Sequence, residues 1–349
     1  MTKTMNVTMT NWNQIIGHEW AVQLLSGAVV HQRIGHAYLI TGPAQIGKTT
    51  LARTFAQALN CEAQDVAERP CGDCRACKLI AADRHPDVRL LEPEVSSRGS
   101  LSHKIETIRE LQRGLNLAAY EGRYKVAILK RFDAANQNAA NAFLKTLEEP
   151  PNNVILLLTA TDADTLLDTI TSRCRTVGLR PLAADLIEQS LTTRWAVPDE
   201  RAYLLAHLAD GRLGWAVQAA QDLSMLVTRN ENIDQLQTVL GGKRSQRFAQ
   251  AEKLANKPDA IPALLQTWLT WWRDLLLLSQ KGGGNGRFSQ LSNIDHETTL
   301  HQQARRWDKE AILGSLQETR RALWQLERNA NTRLVLENLF LVYPYGGVE

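Results

Sequence analysis

The sequence predicts an α/β domain with a mainly parallel sheet, followed by helices alone. Between residue 15 and about residue 180, short apolar segments alternate with helical runs, and each segment is bounded by polar or turn residues. The segments are HAYLIT, DVRLLE, KVAIL and NVILLLTA. Strands that alternate with helices form parallel sheets covered on both faces. Because such sheets bind ligands at the carboxyl ends of their strands, we expect the functional site there.

The helical remainder is expected to form two parts. Residues 181–222 contain short helical segments broken near Pro198 and Gly211, which indicates a small helical domain. Residues 223–349 carry longer amphipathic runs, such as AILGSLQETRRALWQLERNANTRLVLENLFLVY, and are predicted to form a second helical domain. Between these runs KGGGNGRFSQ, residues 281–290, predicts a flexible loop. Four tryptophans of the second domain are expected in its core or in a subunit interface: Trp268, Trp271, Trp272 and Trp324.

The composition is that of a compact globular protein. The 349 residues are 44% hydrophobic and 22% charged, enough for two or three domains with cores of their own. A net charge of +3 permits contact with nucleic acid without predicting it. Residues 1–14 lack the apolar core of a signal peptide, and the most apolar later run, LTWWRDLLLL, is short and contains Arg273 and Asp274. We therefore expect a soluble cytoplasmic protein without a membrane partner.

A phosphate-binding loop, GPAQIGKT, lies between the first predicted strand and a predicted helix. Glycines such as Gly42 and Gly47 let backbone N–H groups turn toward a polyphosphate, which then lies at the positive end of the following helix. In this pattern Lys48 reaches the β- and γ-phosphates, and Thr49 offers its hydroxyl to Mg²⁺. Together with Thr50, these residues form the predicted nucleotide-binding set.

Four of the five cysteines fall within 17 residues and predict a metal site. Cys71, Cys74 and Cys77 are each separated by two residues, and Cys61 lies upstream of Cys71 with nine residues between them. Four converging thiolates suit tetrahedral Zn²⁺ with no open position for catalysis, so we expect a structural zinc. An iron–sulfur cluster and unligated or redox-active thiols remain alternatives.

The predicted strand KVAIL is followed by two cations, Lys130 and Arg131. An enzyme that hydrolyses a nucleotide on a phosphate loop needs acids at the end of a later buried strand. A lysine competes with Mg²⁺ for phosphate oxygens, and an arginine, protonated in any protein, cannot act as a base. The residues alone leave three interpretations: the phosphate loop is a coincidence, the metal-binding acid lies elsewhere, or the chain holds a nucleotide without hydrolysing it.

Several motifs together resemble the clamp-loader branch of the AAA+ ATPases, which serves bacterial DNA polymerase III. They are IIGHEWAVQLLSGAVVHQRIGHAYLITGPAQIGKTTLA, the four-cysteine insert, HPDV, NAANAFLKTLEEPP and TSRCRTVGL, in the order of that family. The resemblance is continuous from residue 11 to about residue 180, weaker beyond, and returns in NANTRLVLENL. It implies an AAA+ domain with a zinc module over residues 1–180, a helical lid domain over 181–222 and an all-α collar domain for oligomerisation over 223–349.

The resemblance also implies residue roles. Ile15, Ile16 and Gly17 match the segment that packs near the adenine, and the glycines, lysine and threonine of GPAQIGKT match the family's phosphate loop. The four clustered cysteines match its zinc module. Arg173, in Ser172-Arg173-Cys174, matches the arginine finger that a subunit projects into its neighbour's nucleotide site. An arginine that merely ends a strand at the surface is the alternative for Arg173.

Two departures from the family's motor subunits bear on hydrolysis. Lys130 takes the position of the Asp associated with Mg²⁺, and Arg131 that of the Glu that activates water. Asp133 lies two residues beyond, and we expect it to cap a helix that begins near Ala134. Gly214 stands where a motor subunit carries an arginine that senses the γ-phosphate.

The resemblance with these departures implies a stationary clamp-loader subunit. Such a subunit works in a hetero-pentamer with delta and gamma/tau subunits, which loads the sliding clamp at primed DNA. The expected ligands are structural Zn²⁺ and ATP or ADP, with or without Mg²⁺. One alternative is an ATP-hydrolysing gamma/tau-type subunit that uses another acid, such as Asp133. Another is a zinc-stabilised AAA+ interaction module outside clamp loading.

Overall fold

A computed structural model describes residues 11–95, 101–280, 291–328 and 330–345. The chain divides into two compact units; the described residues of the first are 11–95 and 101–181, and those of the second are 182–280, 291–328 and 330–345. The predicted loop at residues 281–290 and residues 1–10 of the N-terminal segment lie outside the described residues. Within the described ranges no helix is long and apolar enough to cross a membrane.

The first unit contains the predicted parallel sheet. Its strands are β1 (Ala37–Thr41), β2 (Val88–Leu91), β5 (Lys125–Leu129), β6 (Val154–Ala160) and β7 (Arg175–Gly178). Their order is β2-β5-β6-β1-β7, and every neighbouring pair is parallel. A short antiparallel pair, β3 (Glu94–Val95) with β4 (Leu101–Ser102), stands apart. The expected α/β fold is confirmed. The structure adds the edge strand β7, which was not predicted because its four residues are too few to show an apolar pattern in the sequence.

Helices cover both faces of this sheet. They are α1 (Glu19–Val30), α2 (Lys48–Asn60), α3 (Arg75–Ala81), α4 (Ile105–Leu115), α5 (Gln137–Glu148) and α6 (Asp168–Thr171). Side chains alternate along each strand, so Tyr38 and Ile40 pack with α1 and α2 on one face, while Leu39 packs with α4 and α5 on the other. All seven residues of β6 are buried, as expected for the centre of a parallel sheet. The carboxyl ends of β1, β5 and β6 are therefore fixed side by side.

The second unit is helical throughout its described residues. Its helices are α7 (Ala184–Trp195), α8 (Asp199–Leu208), α9 (Leu213–Gln221), α10 (Ser224–Gly241), α11 (Arg244–Ala255), α12 (Ile261–Ser279), α13 (Glu297–Arg306), α14 (Lys309–Glu327) and α15 (Thr332–Val342). One apolar cluster spans α7 to α9, and a larger one spans α10 to α15. The division of these helices into a lid and a collar domain stays a prediction.

The tryptophans of the larger helical cluster take different positions. Trp268, Trp271 and Trp272 on α12 are fully buried in the core. Trp324 on α14 is 52% exposed, and the Arg328 guanidinium lies 4.0 Å from the centre of its ring. Three of the four tryptophans thus lie in the core, which is one of the two locations expected from the sequence.

Candidate phosphate site and metal centre

The phosphate loop connects the buried strand β1 to helix α2, as the sequence predicts. Gly42 and Gly47 both have a positive φ, of 139° and 110°. A Cβ atom on Gly42 would lie 2.6 Å from the carbonyl oxygen of Leu179, so only glycine fits there. Helix α2 begins at Lys48, and its first turn contains Thr49, half-buried, and Thr50, exposed. The local geometry is that of a helix N-terminus preceded by a tight glycine loop.

The Lys48 side chain is folded against its own loop. Its ammonium donates hydrogen bonds to the carbonyl oxygens of Gly42, at 2.5 Å, and Pro43, at 2.7 Å. Burial lowers the pKa of Lys48 to about 8, while Asp133 acts to raise that pKa and Arg131 to lower it further. The charges of Arg131 and Asp133, two of the three charged residues that follow β5, therefore act on the lysine.

The segment expected to pack near an adenine lies beside the phosphate loop. Ile15 and Ile16 are half-buried, and Gly17 has a positive φ of 71°. The following residue, His18, is buried, and its Nε2 lies 3.4 Å from the carbonyl oxygen of Ile46 in the loop. His18 therefore connects residues 15–17 to the phosphate loop. The sequence did not predict this role for His18.

The two cations after β5 have different partners. Lys130 forms an ion pair with Glu92, which follows the adjacent strand β2. Arg131 adopts a left-handed conformation with φ of 49°, and its backbone N–H donates to the Thr159 hydroxyl on β6 at 3.0 Å. Its guanidinium Nη2 donates to Asp133 Oδ2 at 3.3 Å. Of the two cations, Arg131 is the one whose charge reaches Lys48.

The expected role of Asp133 as a helix cap is wrong. Residues Phe132–Ala134 form a single 3₁₀ turn, and α5 begins only at Gln137. The cap of α5 is Asn136, whose side chain accepts a hydrogen bond from the backbone N–H of Ala139. Asp133 is instead buried, its side chain 5% exposed, and its Oδ2 accepts from Arg131 and from the Thr161 hydroxyl at 3.0 Å. The sequence signal for the true cap was Asn136 itself, a preferred N-cap residue.

Arg173 follows α6 and lies at the surface of the first unit. Its side chain is 36% exposed, its Nη2 lies 2.8 Å from Glu148 Oε1 at the end of α5, and its Nη1 donates to the Thr169 carbonyl. The neighbouring Cys174 is half-buried, and burial raises the pKa of its thiol to about 12. Arg173 thus keeps an accessible guanidinium, whereas burial disfavours the thiolate form of Cys174.

The four clustered cysteines form a group that could hold a metal ion. Their Sγ atoms all lie within 4.8 Å of one another, close to the spacing of about 3.8 Å set by tetrahedral Zn–S bonds. Cys61 ends helix α2, and Cys77 lies in α3; both are buried. Backbone N–H groups of Cys71, Cys74 and Cys77 each lie 3.3 to 3.4 Å from a sulfur atom of the cluster. Such donors stabilise thiolates, so the donor set fits the expected zinc.

Two buried polar residues beside this cluster hold the loop before β5. The Asp87 carboxylate accepts hydrogen bonds from the backbone N–H groups of Tyr120, Glu121 and Gly122, at 2.8 to 2.9 Å. Asn60, next to the cluster, exchanges two hydrogen bonds with the backbone of residue 124. In the sequence HPDV was recognised only as a motif of the family. Its hydrogen-bonding role could not be predicted, because the partners of Asp87 lie more than 30 residues away along the chain.

Comparison with known proteins assigns the chain to a family. A family model described as DNA polymerase III, delta subunit, matches residues 17–183. The DNA polymerase III subunit delta' of Pseudomonas aeruginosa is 36% identical over 261 residues, which are 73% of this chain and 75% of that protein. The chain belongs to the delta-prime family of DNA polymerase III subunits.

Other relatives place this delta-prime chain among the clamp-loader subunits. The subunit delta' of Bacillus subtilis is 28% identical over 93% of this chain and 95% of its own length. The subunit tau of Escherichia coli is 37% identical over 57% of this chain, but this covers only 31% of tau. The resemblance seen in the sequence is thereby confirmed, and the match to the Bacillus subtilis delta' subunit extends further along the chain than the match to tau.

Proposed function

We propose that this delta-prime chain is a stationary subunit of the clamp loader that binds ATP or ADP without hydrolysing it. It assembles with delta and gamma/tau subunits in a hetero-pentamer that loads the sliding clamp at primed DNA. It contributes Arg173 to the nucleotide site of a neighbouring motor subunit. The observation that carries this proposal is that two cations, Lys130 and Arg131, stand where acids are expected at the end of β5, in a chain whose phosphate loop is otherwise complete.

Nucleotide binding is supported by the phosphate loop and its surroundings. Gly42 and Gly47 have the positive φ values that the tight loop requires, and α2 begins directly after it. The Lys48 ammonium is held at the loop by two carbonyl oxygens, which a bound phosphate would replace as its partner. These are the elements that bind phosphate in proteins of this kind.

The loss of hydrolysis follows from what occupies the end of β5. Lys130 is paired with Glu92, and Arg131 cannot take a proton from water. The acid nearby, Asp133, already accepts hydrogen bonds at Oδ2 from an arginine and a threonine.

An arginine finger requires an accessible guanidinium at the protein surface. Arg173 meets this requirement, and its guanidinium forms a partly exposed ion pair with Glu148. Positive charge brought to a transferring phosphoryl group accelerates the reaction by about 10³ to 10⁵. A subunit without ATPase activity can therefore still be needed for the ATPase of the complex.

The structural metal is proposed to be zinc. Four thiolates in a tetrahedral arrangement leave no open position for a substrate, and they tie the end of α2 to α3. Elemental analysis of the purified chain is expected to give one zinc ion per chain. Iron, or no metal at all, would contradict this assignment.

One observation favours a second candidate, an ATP-hydrolysing subunit of the gamma/tau type. Asp133 is buried and close enough to Lys48 to affect its pKa, as a residue of a hydrolytic site would be. ATP hydrolysis by the purified chain decides between the two functions. We expect no activity above buffer, whereas hydrolysis that disappears in Asp133→Ala would establish the second candidate.

The role in the assembly is tested with the reconstituted clamp loader. Replacing the wild-type chain by Arg173→Ala is expected to leave assembly intact and to reduce the ATPase of the complex. Arg175→Ala, which removes an exposed arginine two residues away, is the matched control and should have little effect. Equal activities of the two variants would remove the finger assignment. Failure of the wild-type chain to assemble with delta and tau would favour an interaction module outside clamp loading.

A further inference from the structure

Three charged side chains meet where the phosphate loop faces the end of β5. They are Lys48, Arg131 and Asp133. The Gly42 N–H of the loop donates to the Thr161 carbonyl at 3.1 Å, and the Thr161 hydroxyl donates to Asp133, which is paired with Arg131. At neutral pH the formal charges of the three side chains sum to about +1. A metal-using site of the same architecture combines the lysine with acidic residues that hold Mg²⁺. The protein groups at this site are therefore more positive than those of a metal-using site. They favour an anion and disfavour a divalent cation.

Two atoms of this group lack partners although they are buried. Within the described parts of the chain, neither Arg131 Nε nor Asp133 Oδ1 has a hydrogen-bond partner. Leaving a buried charged group partly unsatisfied is costly, so such atoms mark places where a ligand can bind. The Asp133 side chain is nine-tenths buried, whereas the Arg131 side chain is 39% exposed. The Arg131 guanidinium can therefore contact a ligand that enters from solvent. The buried Asp133 carboxylate holds the guanidinium in place.

Lys130 does not belong to this group. Its ammonium is paired with Glu92, its backbone N–H donates to Leu91, and its carbonyl accepts from His103 Nε2. The contacts with Glu92 and Leu91 lie on the β2 side of β5. Of the two cations at the end of the strand, Arg131 alone is directed toward the phosphate loop.

We propose that this site binds the polyphosphate of a nucleotide without a divalent cation, with the Arg131 guanidinium in the place of the metal and Asp133 as its positioning residue. The inference rests on the nucleotide binding proposed above. A guanidinium presents planar N–H donors that match two phosphate oxygens at once, which an ammonium does not. Lys48 and Arg131 together supply two positive charges, comparable to those of one Mg²⁺ ion. Asp133 Oδ2 keeps the guanidinium oriented, and the Thr161 hydroxyl fixes Asp133.

The competing possibility is that Asp133 Oδ1 is itself a ligand of Mg²⁺. A carboxylate oxygen is a ligand that Mg²⁺ favours. The charges argue against it, because Lys48 and Arg131 both repel a divalent cation at this position. The two arrangements differ in whether nucleotide affinity depends on the metal.

The test is calorimetric titration of the full-length chain with ADP, in excess Mg²⁺ and in EDTA. We expect the affinity to be nearly the same in both buffers. Arg131→Gln is expected to weaken binding on the order of tenfold or more in both, because a charge-assisted contact to phosphate is lost. Lys130→Gln, which removes the same charge one residue earlier, is the matched control and should bind ADP as the wild type does.

Three results would overturn the inference. The first is wild-type binding that needs Mg²⁺ and loses this dependence in Asp133→Asn, which would assign the metal to Asp133. The second is an Arg131→Gln variant, shown to be folded by its thermal transition, that binds ADP in EDTA as tightly as the wild type. The third is the absence of ADP binding in both buffers, which also removes nucleotide binding from the proposed function. The role of Arg173 and the assembly with other subunits are tested on the complex, so none of these three results decides them.

Discussion

Replacing Asp87 by Asn tests whether the HPDV motif stabilises the α/β unit from within. The Asp87 carboxylate is buried and accepts three backbone N–H groups, from residues 120, 121 and 122, at 2.8 to 2.9 Å. An asparagine has the same shape but replaces one oxygen by an NH₂ group, which faces backbone donors and cannot accept from them. At least one N–H then loses its partner, and the remaining bonds lose their charge.

The expected cost follows from these contacts. Hydrogen bonds to a charged group contribute about 1.5–3 kcal/mol each, and an orphaned buried donor costs a similar amount, so we expect a loss of roughly 2–4 kcal/mol. For a unit of this size, each kcal/mol lowers the unfolding midpoint by about 2–4 °C, which gives a shift of roughly 5–15 °C. The control is Asp83→Asn, because Asp83 forms an exposed pair with Arg53 and should contribute less than about 1 kcal/mol.

The measurement is calorimetric unfolding of both variants at pH 7 and at acidic pH. Burial alone would raise the pKa of Asp87, but the three N–H donors outweigh it and hold that pKa below its ordinary value of 3.8. The contribution of Asp87 is therefore complete above that value and is lost as the pH falls through the lowered pKa. The difference between wild type and Asp87→Asn should shrink in acid. Equal midpoints for Asp87→Asn and Asp83→Asn at pH 7 would refute the reasoning.

Three further predictions concern the candidate sites. Glu148→Gln should change the ATPase of the reconstituted complex by less than about fivefold, because its ion pair with Arg173 is partly exposed and contributes less than about 1 kcal/mol; a loss as large as that of Arg173→Ala would mean that Glu148 positions the guanidinium. Cys74→Ser should lose zinc by mass spectrometry, whereas Cys174→Ser, at the cysteine outside the cluster, should keep it; retention in both would contradict a four-thiolate site. The affinity for ADP should fall as the pH rises through about 8, because Lys48 in the nucleotide-free chain loses its proton there. If the affinity does not change up to pH 10, the Lys48 ammonium does not bind the phosphates.

Local spacing in the sequence was enough to predict the phosphate loop and the cysteine cluster. Gly42, Lys48 and the residues between them act through one continuous turn, whose geometry is set by the glycines themselves. The cysteines at 71, 74 and 77 likewise lie on one short segment, so their spacing fixes their separation. The alternation of apolar segments and helices predicted the parallel sheet, since each strand carries its own burial pattern.

Contacts between distant segments could not be predicted in this way. The sequence placed both cations of KVAILKR at the site, whereas folding pairs Lys130 with Glu92 and turns Arg131 toward Asp133. Asp133 was expected at a helix end, but the left-handed turn at Arg131 delays α5 to Gln137 and buries the carboxylate.

The sequence by itself determined which chemical groups are present: a phosphate loop, four thiols and cations where acids are expected. The tertiary structure alone decided which of those cations faces Lys48. The physical reason is that the side of β5 on which a side chain lies is set by the neighbouring strands β2 and β6. Glu92 attracts Lys130 toward β2, and the Thr159 hydroxyl on β6 holds the backbone that directs Arg131.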